Sequence, residues 1–496
     1  MCGLVALWNI DDPALAERMI AKIAHRGPDE VKVARVPGTP AIMAHARLAI
    51  IGPDNGTQPL FAGDAALVAN GEIYNYSDLR AILGESLFAT LSDSETILHL
   101  FRSGQPTWIT RLDGMFAFVL VTSERIIAAR DPLGIKPLYL ARIGDGLAFA
   151  SELKAFDGLG LARVEAIAPG TLYDSIDGHR RWFRMPQGAA ELREGEDPEP
   201  LWRELRRVLE QAVAKWMVAD VEVGAFLSGG LDSSVIAALA ARALDRPLKT
   251  FAVGTTGSPD LAAARAVASH IGSDHRELVF TADDLARVVG HVVYHLESAD
   301  VDLVRSAMPT HFATTLASAH VKAVLTGEGA DELFAGYTYH HAYAGKTRAL
   351  ADELTRSLGT MHNINLQRVD RITMAQGLEA RTPFLDRDLI AFSQSIPASL
   401  KMKAADGVTT EKWILRKACE DLLPADIVWR RKVQFDEGSG TVDALDAALA
   451  DLAGAPAPID RATEAGIYER LLRERYTDPE LILSNAGVWT AMRVAV

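Results

Sequence analysis

The sequence predicts a mixed α/β protein: a β-rich N-terminal part, then a doubly wound parallel sheet, then a helical C-terminal part. Two patterns lead to this prediction. Up to about residue 185, short apolar runs are bounded by Gly, Pro, Asp or Asn, which is typical of strands. From about residue 221, apolar runs alternate with helical patterns, and this order favours parallel βαβ units. The length of 496 residues leaves room for more than one domain.

The N-terminal part is expected to contain strands at 41–52, 65–74, 114–122, 125–131 and 146–151. Helical patterns lie between them, at 13–23, 77–83 and 93–103. The following stretch up to residue 200 is polar and holds three Pro and two Gly, so it is the best linker candidate. We therefore expect a first domain at 2–185, a linker at 186–200 and a second domain at 201–496.

In the second domain, strands are predicted at 221–227, 249–253, 275–280 and 321–325. Helices are predicted at 199–218, 231–244, 260–271 and 281–297. The last of these opens with Thr281 and Asp284 at the spacing of a capping box. After about residue 345 the pattern is mostly helical, and after about 440 it carries no recognisable motif.

Composition and charge exclude several classes of protein. The chain has 51 Lys and Arg against 65 Asp and Glu, and a net charge of −14 disfavours binding to a nucleic-acid backbone. With only two cysteines, a disulfide scaffold and a Cys-rich metal site are excluded. The N-terminus does not resemble a signal peptide, and no apolar run approaches the roughly 20 residues of a membrane span. We expect a cytoplasmic protein with neither nucleic acid nor membrane as a partner.

Cys2 directly follows the initiator methionine and is a candidate nucleophile. Cysteine is small enough for the methionine to be removed, which would place a thiol and a free α-amine on one residue. An α-amine with a pKa near about 8 can accept the thiol proton, so no separate base is needed. The alternative is an incidental cysteine near a frayed chain end, and Cys2 by itself does not decide between them.

The segments around Cys2 resolve this ambiguity. Six of them are AHRGPD (24–29), HARLAI (45–50), ANGEIYN (69–75), LSDSET (91–96), LDGMFAFVL (112–120) and ARDPLGIKPLY (129–139). Together with Cys2, they resemble the class II glutamine amidotransferases over nearly all of the first 180 residues. The resemblance implies an N-terminal-nucleophile αββα sandwich that hydrolyses glutamine.

The resemblance also implies a role for each matching residue. Cys2 is expected to attack the glutamine carboxamide, with Asn70 and Gly71 as the oxyanion hole. Arg47 is expected to bind the α-carboxylate, and Glu72 and Asp93 the α-ammonium. The apolar residues after Arg47 would complete the glutamine site: Leu48, Ala49, Ile50 and Ile51. A surface ion pair for Arg47 and a helix N-cap for Asp93 are the structural alternatives.

The segment FLSGGLDSS (226–234) follows an apolar strand and opens a helix. Backbone N–H groups of a Gly-rich turn at a helix N-terminus form an anion nest. No Gly-Lys-Ser/Thr follows, so this is not a Walker A loop. It resembles the SGGxDS loop of the ATP-pyrophosphatase family, which implies pyrophosphate contacts from Ser228, Ser233 and Ser234 and a magnesium ligand in Asp232.

The segment LTGEGADELFAGY (325–337) follows another predicted strand, so both loops are expected at the carboxyl edge of one sheet. It resembles the asparagine synthetase signature SGEGSDE. This resemblance implies that Glu328 is catalytic, that Asp331 completes a magnesium site with Asp232, and that Lys432 neutralises pyrophosphate. The residues expected to bind ATP are Leu227, Ser228, Gly229, Gly230, Asp232, Ser233, Ser234, Val253, Thr326 and Gly327.

From residue 2 to about 440, the chain resembles the glutamine-hydrolysing asparagine synthetases of the bacterial B type. The resemblance implies that ammonia from glutamine crosses between domains and amidates aspartate through β-aspartyl-AMP, with MgATP as cosubstrate. The sequence leaves the oligomeric state open, with a homodimer as one possibility.

One departure leaves the acceptor open: at 300–305, DVDLVR has Asp302 and Leu303 where the family commonly has two threonines, although Arg305 is kept. A carboxylate at that place would repel a dicarboxylic acid unless it is paired. The acceptor pocket is expected to include Asp302, Leu303 and Arg305. An amidotransferase for another carboxylic acid, and a non-catalytic regulatory relative, are the alternatives.

Overall fold

The computed structural model describes residues 2–188, 197–405, 408–454 and 456–487. The predicted linker at 186–200 falls mostly on residues 189–196, which lie outside the described residues. Within the described part of the chain, no helix is both long enough and apolar enough to span a lipid bilayer.

The N-terminal part consists of twelve strands and three helices among the described residues. The strands are β1 (Gly3–Trp8), β2 (Glu30–Arg35), β3 (Ala41–Arg47), β4 (Leu60–Ala62), β5 (Ala65–Ile73), β6 (Gly114–Val121), β7 (Ile126–Arg130), β8 (Tyr139–Ile143), β9 (Gly146–Ala150), β10 (Val164–Ala166), β11 (Thr171–Asp174) and β12 (Gly178–Arg181). The helices are α1 (Pro13–Lys22), α2 (Tyr76–Leu83) and α3 (Glu95–Arg102).

These strands form two antiparallel sheets of six strands each, in the orders β10-β8-β9-β1-β3-β2 and β12-β11-β7-β6-β5-β4. The sheets pack on each other through one apolar core, to which β1 contributes Leu4 and Ala6 and β5 contributes Val68. Helix α1 covers the outer face of the first sheet and α3 that of the second. Both faces of β6 are therefore buried, and its sequence is continuously apolar instead of alternating. The αββα sandwich is confirmed.

The second part is built on a five-stranded parallel sheet, ordered β15-β14-β13-β16-β17. Its strands are β13 (Val223–Phe226), β14 (Lys249–Gly254), β15 (Asp274–Val279), β16 (Ala323–Leu325) and β17 (Glu379–Arg381). The helices that accompany them are α4 (Glu199–Trp216), α5 (Leu231–Arg242), α6 (Pro259–Ile271), α7 (Ala282–Leu296), α8 (Val301–Ser318) and α9 (Ala330–Phe334).

The C-terminal part is mostly helical, as predicted. Its helices are α10 (Thr347–Thr360), α11 (Asn365–Met374), α12 (Arg387–Ser395), α13 (Ala398–Lys401), α14 (Trp413–Ala418), α15 (Ala425–Val428), α16 (Phe435–Gly438), α17 (Thr441–Ala453), α18 (Arg461–Arg473) and α19 (Pro479–Leu483). A short hairpin interrupts them, formed by β18 (Lys403–Ala405) and β19 (Val408–Thr410).

The parallel strands β13 to β16 and the helices α5, α6 and α7 lie within a few residues of the predicted bounds. The capping box of Thr281 and Asp284 is present at the start of α7. Helix α8 was not predicted, because it is buried nearly all round and so shows no amphipathic period, and it also contains Pro309. Strand β3 ends at Arg47, whereas the predicted strand continued to residue 52.

A buried ion network joins the two parts. Arg26 of the N-terminal part is fully buried, and its Nη1 lies 2.8 Å from Asp370 Oδ2 of α11 and 2.5 Å from Glu152 Oε1. Glu297, which follows α7, accepts hydrogen bonds from the backbone nitrogen of Lys154 at 2.7 Å and from Arg371 Nε at 3.0 Å. Unpairing either partner of such a buried pair is strongly destabilising, so this network fixes how the sandwich lies on the parallel sheet.

Candidate active sites

Cys2 lies immediately before β1, in a buried position. Its backbone nitrogen donates to Asn70 Oδ1 at 3.0 Å, and its carbonyl oxygen accepts from Arg26 Nε at 3.0 Å. The thiol Sγ lies 4.0 Å from the carbonyl oxygen of Leu48. The backbone at Cys2 is therefore held between the two sheets and the charged network at the domain interface.

Asn70 and Gly71 lie in the middle of β5, opposite β6. Asn70 is fully buried, and within the described residues its Nδ2 has no hydrogen-bond partner. Gly71 has a φ of 145°, and a Cβ there would approach the carbonyl oxygen of Met115 to 2.0 Å. A buried amide donor without a partner, on a side chain that contacts Cys2, suits the expected oxyanion hole.

Arg47 ends β3 and uses its guanidinium to hold the loop that follows. Its Nη2 donates to the carbonyl oxygen of Gly52 at 2.6 Å, and its Nη1 to that of Pro53 at 3.0 Å. Each of these nitrogens carries a second N–H that remains able to bind a carboxylate. The next four residues, Leu48, Ala49, Ile50 and Ile51, are all buried in this loop.

Glu72 in β5 and Asp93 before α3 carry two buried carboxylates. Asp93 Oδ2 accepts from the backbone nitrogen of Ile73 at 2.6 Å. The alternative role of Asp93 as a helix cap is wrong: Ser94 is the N-cap of α3, and no side chain caps that helix. The Asp93 carboxylate instead faces back to β5, towards Glu72.

Burial dominates the electrostatics of this first site. It raises the pKa of Asp93 to about 6. It raises the pKa of Glu72 well above its usual range, and the negative charges of Glu379 and Asp93 add to this effect. Burial also raises the pKa of the Cys2 thiol, and the positive charge of Arg47 acts in the opposite direction. The thiol therefore needs a proton acceptor before it can attack.

The second site is a cavity of about 220 Å³ at the carboxyl ends of β13, β14 and β16. Seven of the residues expected to bind ATP line it: Leu227, Ser228, Asp232, Ser233, Val253, Thr326 and Gly327. Gly229, Gly230 and Ser234 do not line it, and Ser234 is fully buried behind the loop. The expected pyrophosphate contact from Ser234 is therefore not available in this conformation.

Hydrogen bonds from hydroxyl groups hold the loop between β13 and α5 in one conformation. Ser233 Oγ accepts from the backbone nitrogen of Ser228 at 3.2 Å and lies 3.0 Å from Ser228 Oγ. Gly229 has a φ of 73°, and a Cβ there would come within 2.5 Å of the backbone nitrogen of Ala264. The loop thus requires glycine at this turn, and its hydroxyl groups lie at the start of α5, where the helix dipole favours anions.

Asp232 and Asp331 converge on one position from the two loops. Lys412 Nζ lies 2.6 Å from Asp232 Oδ2 and 2.5 Å from Asp331 Oδ1. Lys432 Nζ lies 2.9 Å from Asp331 Oδ2 and 3.4 Å from Asp232 Oδ2. The two carboxylates therefore bind positive charge already, in the form of the ammonium groups of Lys412 and Lys432. Two carboxylates, completed by water and phosphate oxygens, are a donor set that suits Mg²⁺.

No group of three or more His, Cys, Asp or Glu in the described residues is arranged to hold a metal by protein ligands alone. Asp232 and Asp331 supply two carboxylates at this position. Glu332, a neighbour of Asp331, does not join this pair. Its carboxylate accepts from the Tyr337 hydroxyl at 2.5 Å and from Asn365 Nδ2 at 2.8 Å.

Glu328 lines the cavity and forms an ion pair with Arg368 of α11. Arg368 Nη1 also donates to Thr310 Oγ1 of α8 at 3.1 Å. Sequence reasoning did not find Arg368, because nothing adjacent to it in the chain marks it as part of the site. Lys412 was also missed as a site residue, although the segment that contains it, EKWILRKA (411–418), matches the family.

The expected acceptor pocket is only partly formed as predicted. Asp302 lines the cavity and is paired with Arg461 of α18. Leu303 is instead buried in the core, and Arg305 is held by Glu464, whose Oε2 lies 2.6 Å from Arg305 Nη2. The sequence pattern could not reveal this, since Glu464 belongs to a helix 159 residues further along the chain.

Comparison with known proteins covers most of the chain. The family described as "Asparagine synthase" matches residues 204–351 and 343–489, and the family described as "Glutamine amidotransferase domain" matches residues 1–171. A protein of Triphysaria versicolor named "Asparagine synthetase [glutamine-hydrolyzing]" is 39% identical over 465 residues, which is 89% of this chain and 78% of that protein. "Asparagine synthetase [glutamine-hydrolyzing] 3" of Arabidopsis thaliana is 39% identical, over 89% of this chain and 79% of that protein.

Proposed function

The chain belongs to the family of glutamine-hydrolysing asparagine synthetases, and from this premise we propose that its two sites perform two halves of one reaction. Glutamine is hydrolysed in the N-terminal sandwich, and the ammonia amidates aspartate at the cavity of the parallel sheet. ATP is the cosubstrate and yields AMP and pyrophosphate. The observation that carries the proposal is the convergence of Asp232 and Asp331 beside a pre-formed anion loop.

In the glutaminase half, we propose that the α-amine of Cys2 accepts the thiol proton and that the thiolate attacks the carboxamide carbon. Asn70 Nδ2, which has no partner among the described residues, donates to the oxyanion together with the backbone of Gly71. The α-amine then returns this proton to the leaving nitrogen, neutral ammonia departs, and water releases glutamate from the thioester. Arg47 binds the α-carboxylate, while Glu72 and Asp93 bind the α-ammonium.

In the synthetase half, an aspartate carboxylate oxygen attacks the α-phosphorus of ATP and pyrophosphate leaves. Ser228 and Ser233 donate hydrogen bonds to phosphate oxygens, and Lys432 offsets their charge. Asp232 and Asp331 would hold Mg²⁺, which neutralises phosphate charge when bound. Ammonia then attacks the acyl carbon of β-aspartyl-AMP and AMP leaves. Glu328, held by Arg368, is the proposed acceptor of the ammonia proton.

The acceptor acid is the part of the proposal with a specific rival. The Asp302 carboxylate lies on the cavity wall, where an unpaired negative charge would disfavour aspartate. Its pairing with Arg461 removes most of that repulsion, which supports aspartate. Another carboxylic acid is the second candidate, because the threonines that the family commonly has here are absent.

We propose further that the domain limits are 2–185 and 201–496, that the ammonia passes between the domains, and that the enzyme works in the cytoplasm as a homodimer. Solution scattering of the whole chain tests the oligomeric state. Release of ammonia to the solvent, trapped by glutamate dehydrogenase during turnover, tests whether it is transferred internally.

The deciding experiment measures AMP, glutamate and the amide product with MgATP, with glutamine or ammonium chloride, and with or without aspartate. We expect AMP and asparagine to appear only when aspartate is present. A panel of other carboxylic acids is assayed in parallel. If aspartate supports no AMP formation at saturating ammonia while another acid does, the enzyme amidates that other acid.

A further inference from the structure

Strand β17, at the edge of the parallel sheet, contacts both active sites. Its backbone pairs with β16, and the carbonyl oxygen of Arg381 accepts from the backbone nitrogen of Thr326 at 2.8 Å. Thr326 lines the synthetase cavity. The backbone of Arg381 is thus part of the frame of the ATP site.

The side chain of Arg381 extends the other way, to the boundary with the N-terminal sandwich. It is fully buried, and its Nη1 donates to the carbonyl oxygens of Trp216 and Val218 at 2.8 and 2.7 Å. Its Nε donates to Glu379 Oε1 at 2.5 Å. These bonds fix the plane of the guanidinium and leave Nη2 directed at the other domain.

There, Arg381 Nη2 lies 3.8 Å from Glu72 Oε2, and it has no hydrogen-bond partner within the described residues. The guanidinium carbon also lies 5.6 Å from the centre of the Tyr74 ring. Glu72 follows directly after the oxyanion-hole residues of β5. Arg381 is therefore a cation of the synthetase domain that faces an anion of the glutaminase site.

The charge of Arg381 matters because Glu72 is buried among other acids. Burial and the carboxylates of Glu379 and Asp93 raise the pKa of Glu72, and Arg381 acts in the opposite direction. The pKa of Glu379 itself is lowered to about 2. Burial would raise this pKa, but nearby positive charges, including Arg381 and Lys136, outweigh the effect of burial. The guanidinium is thus the positive charge of the second domain that opposes the desolvation of Glu72, and it lies 3.8 Å from the Glu72 carboxylate.

We propose that Arg381 is a positioning residue of the glutaminase reaction, through which the synthetase domain orients the Glu72 carboxylate to bind the α-ammonium of glutamine. This inference rests on the proposed role of Glu72. It means that the glutamine site is complete only when the parallel sheet is packed against the sandwich. A long-range ion contact of this kind affects substrate binding more than the chemical step at Cys2.

The test compares Arg381→Lys and Arg381→Met with the wild-type full chain in glutamine hydrolysis. We expect KM for glutamine to rise about tenfold in Arg381→Lys and more in Arg381→Met, with kcat changed less than about threefold. In the background of Glu72→Gln, Arg381→Lys should raise KM for glutamine by less than about twofold, because the carboxylate through which Arg381 acts is absent. Ammonia-dependent AMP formation reports whether each variant is folded.

Arg387→Lys is the matched control. Arg387 also crosses the domain interface, where its Nη1 donates to the carbonyl oxygens of Thr110 and Leu112, but it contacts neither site. We expect its KM for glutamine to equal that of the wild type. Equal losses of glutaminase and ammonia-dependent activity in Arg381→Lys would mean a merely structural role and overturn the inference.

Three further outcomes separate this inference from the proposed function. If the wild type does not hydrolyse glutamine, the proposed function fails and the inference with it. If Glu72→Gln leaves KM unchanged, Glu72 does not bind the ammonium and both assignments to this residue pair are wrong. If Glu72→Gln raises KM for glutamine but Arg381→Lys behaves as wild type, the inference alone is wrong. The same holds if the increases in KM caused by the two substitutions simply multiply in the double variant.

Discussion

The two sites of this enzyme arrange charge in opposite ways. In the glutaminase site, Glu72 and Asp93 are buried, and burial raises the pKa of both carboxyls. In the synthetase cavity the acids are paired: although burial alone would raise it, the ammonium groups of Lys412 and Lys432 hold the pKa of Asp331 well below its usual range.

This difference follows from what each site has to bind. Glutamine brings one ammonium group and one carboxylate. Two acidic side chains, Glu72 and Asp93, and one arginine, Arg47, are therefore enough to orient it. A nucleotide triphosphate brings several negative charges, so its site needs cations in place and acids to hold those cations. Changes at the first site should therefore affect glutamine alone, whereas changes at the second should affect phosphate chemistry and stability together.

Removal of the nucleophile should give the largest effect and the cleanest separation of the sites. We expect Cys2→Ala to lower glutamine hydrolysis at least about a thousandfold, because no other thiol can attack. Ammonia-dependent AMP formation should stay near the wild-type rate. Cys419→Ala, which changes the other cysteine in the core of the second domain, should keep both activities. Wild-type glutamate production by Cys2→Ala would show that the nucleophile is misassigned.

Asp232→Asn is the reverse experiment. Loss of one carboxylate from the proposed magnesium position should lower AMP and pyrophosphate release about a hundredfold and leave glutamine hydrolysis unchanged. Product analysis by chromatography measures both. Asp283→Asn, at an exposed position in the first turn of α7, is the control and should behave as wild type. Unchanged AMP release and magnesium dependence in Asp232→Asn would contradict the assignment.

Lys412→Met tests the paired charges of the cavity through stability. Lys412 is almost fully buried between Asp232 and Asp331, so its removal leaves two poorly solvated acids with Lys432 as their remaining shared partner. We expect the free energy of unfolding of the synthetase domain to fall by about 2 kcal/mol, as measured by urea denaturation. Lys417→Met, which removes a surface pair with Glu420, should cost less than about 0.5 kcal/mol. Equal effects in the two variants would argue against the paired arrangement.

The pH dependence of glutamine binding should show the smallest effect. With a pKa of about 6, Asp93 is ionised above pH 6 and protonated below it, and only the ionised form attracts the ammonium of glutamine. KM for glutamine should therefore rise as pH falls, by roughly tenfold from pH 7 to pH 5. In Asp93→Asn this rise should be smaller, because Glu72, whose pKa burial also raises, remains as a titrating acid, whereas KM at pH 7 should already be high. A steep rise that persists in the variant would assign the titration to another group.

The motifs predicted from the sequence have their functional groups close together in the chain. Gly71, for example, directly follows Asn70, and its φ of 145° lies in the region that favours glycine. The loop from Leu227 to Ser233 is similarly local, since its hydroxyl groups bond to backbone only a few residues away. Such features are visible in a sequence because both partners of each interaction are part of the same motif.

The charge partners could not be predicted in this way. Arg305 has the same identity as in the family pattern, yet it is held by Glu464 and does not line the cavity. Arg368 and Lys412 lie in the synthetase site although neither was expected there. Each of these pairs joins residues that are far apart in the chain, so its geometry depends on how helices pack.

The sequence by itself therefore determined the local features, such as the glycine turn and hydroxyl groups of the anion loop, because a turn places neighbouring residues in one arrangement. The roles expected of Cys2, Asn70, Asp232 and Asp331 came from the resemblance of their motifs to a known family. Only the tertiary structure decided which charges are neutralised, and that the glutaminase carboxylate Glu72 faces Arg381 of the other domain. The energy of a buried charge depends on every group around it, and those groups come together only when the chain has folded.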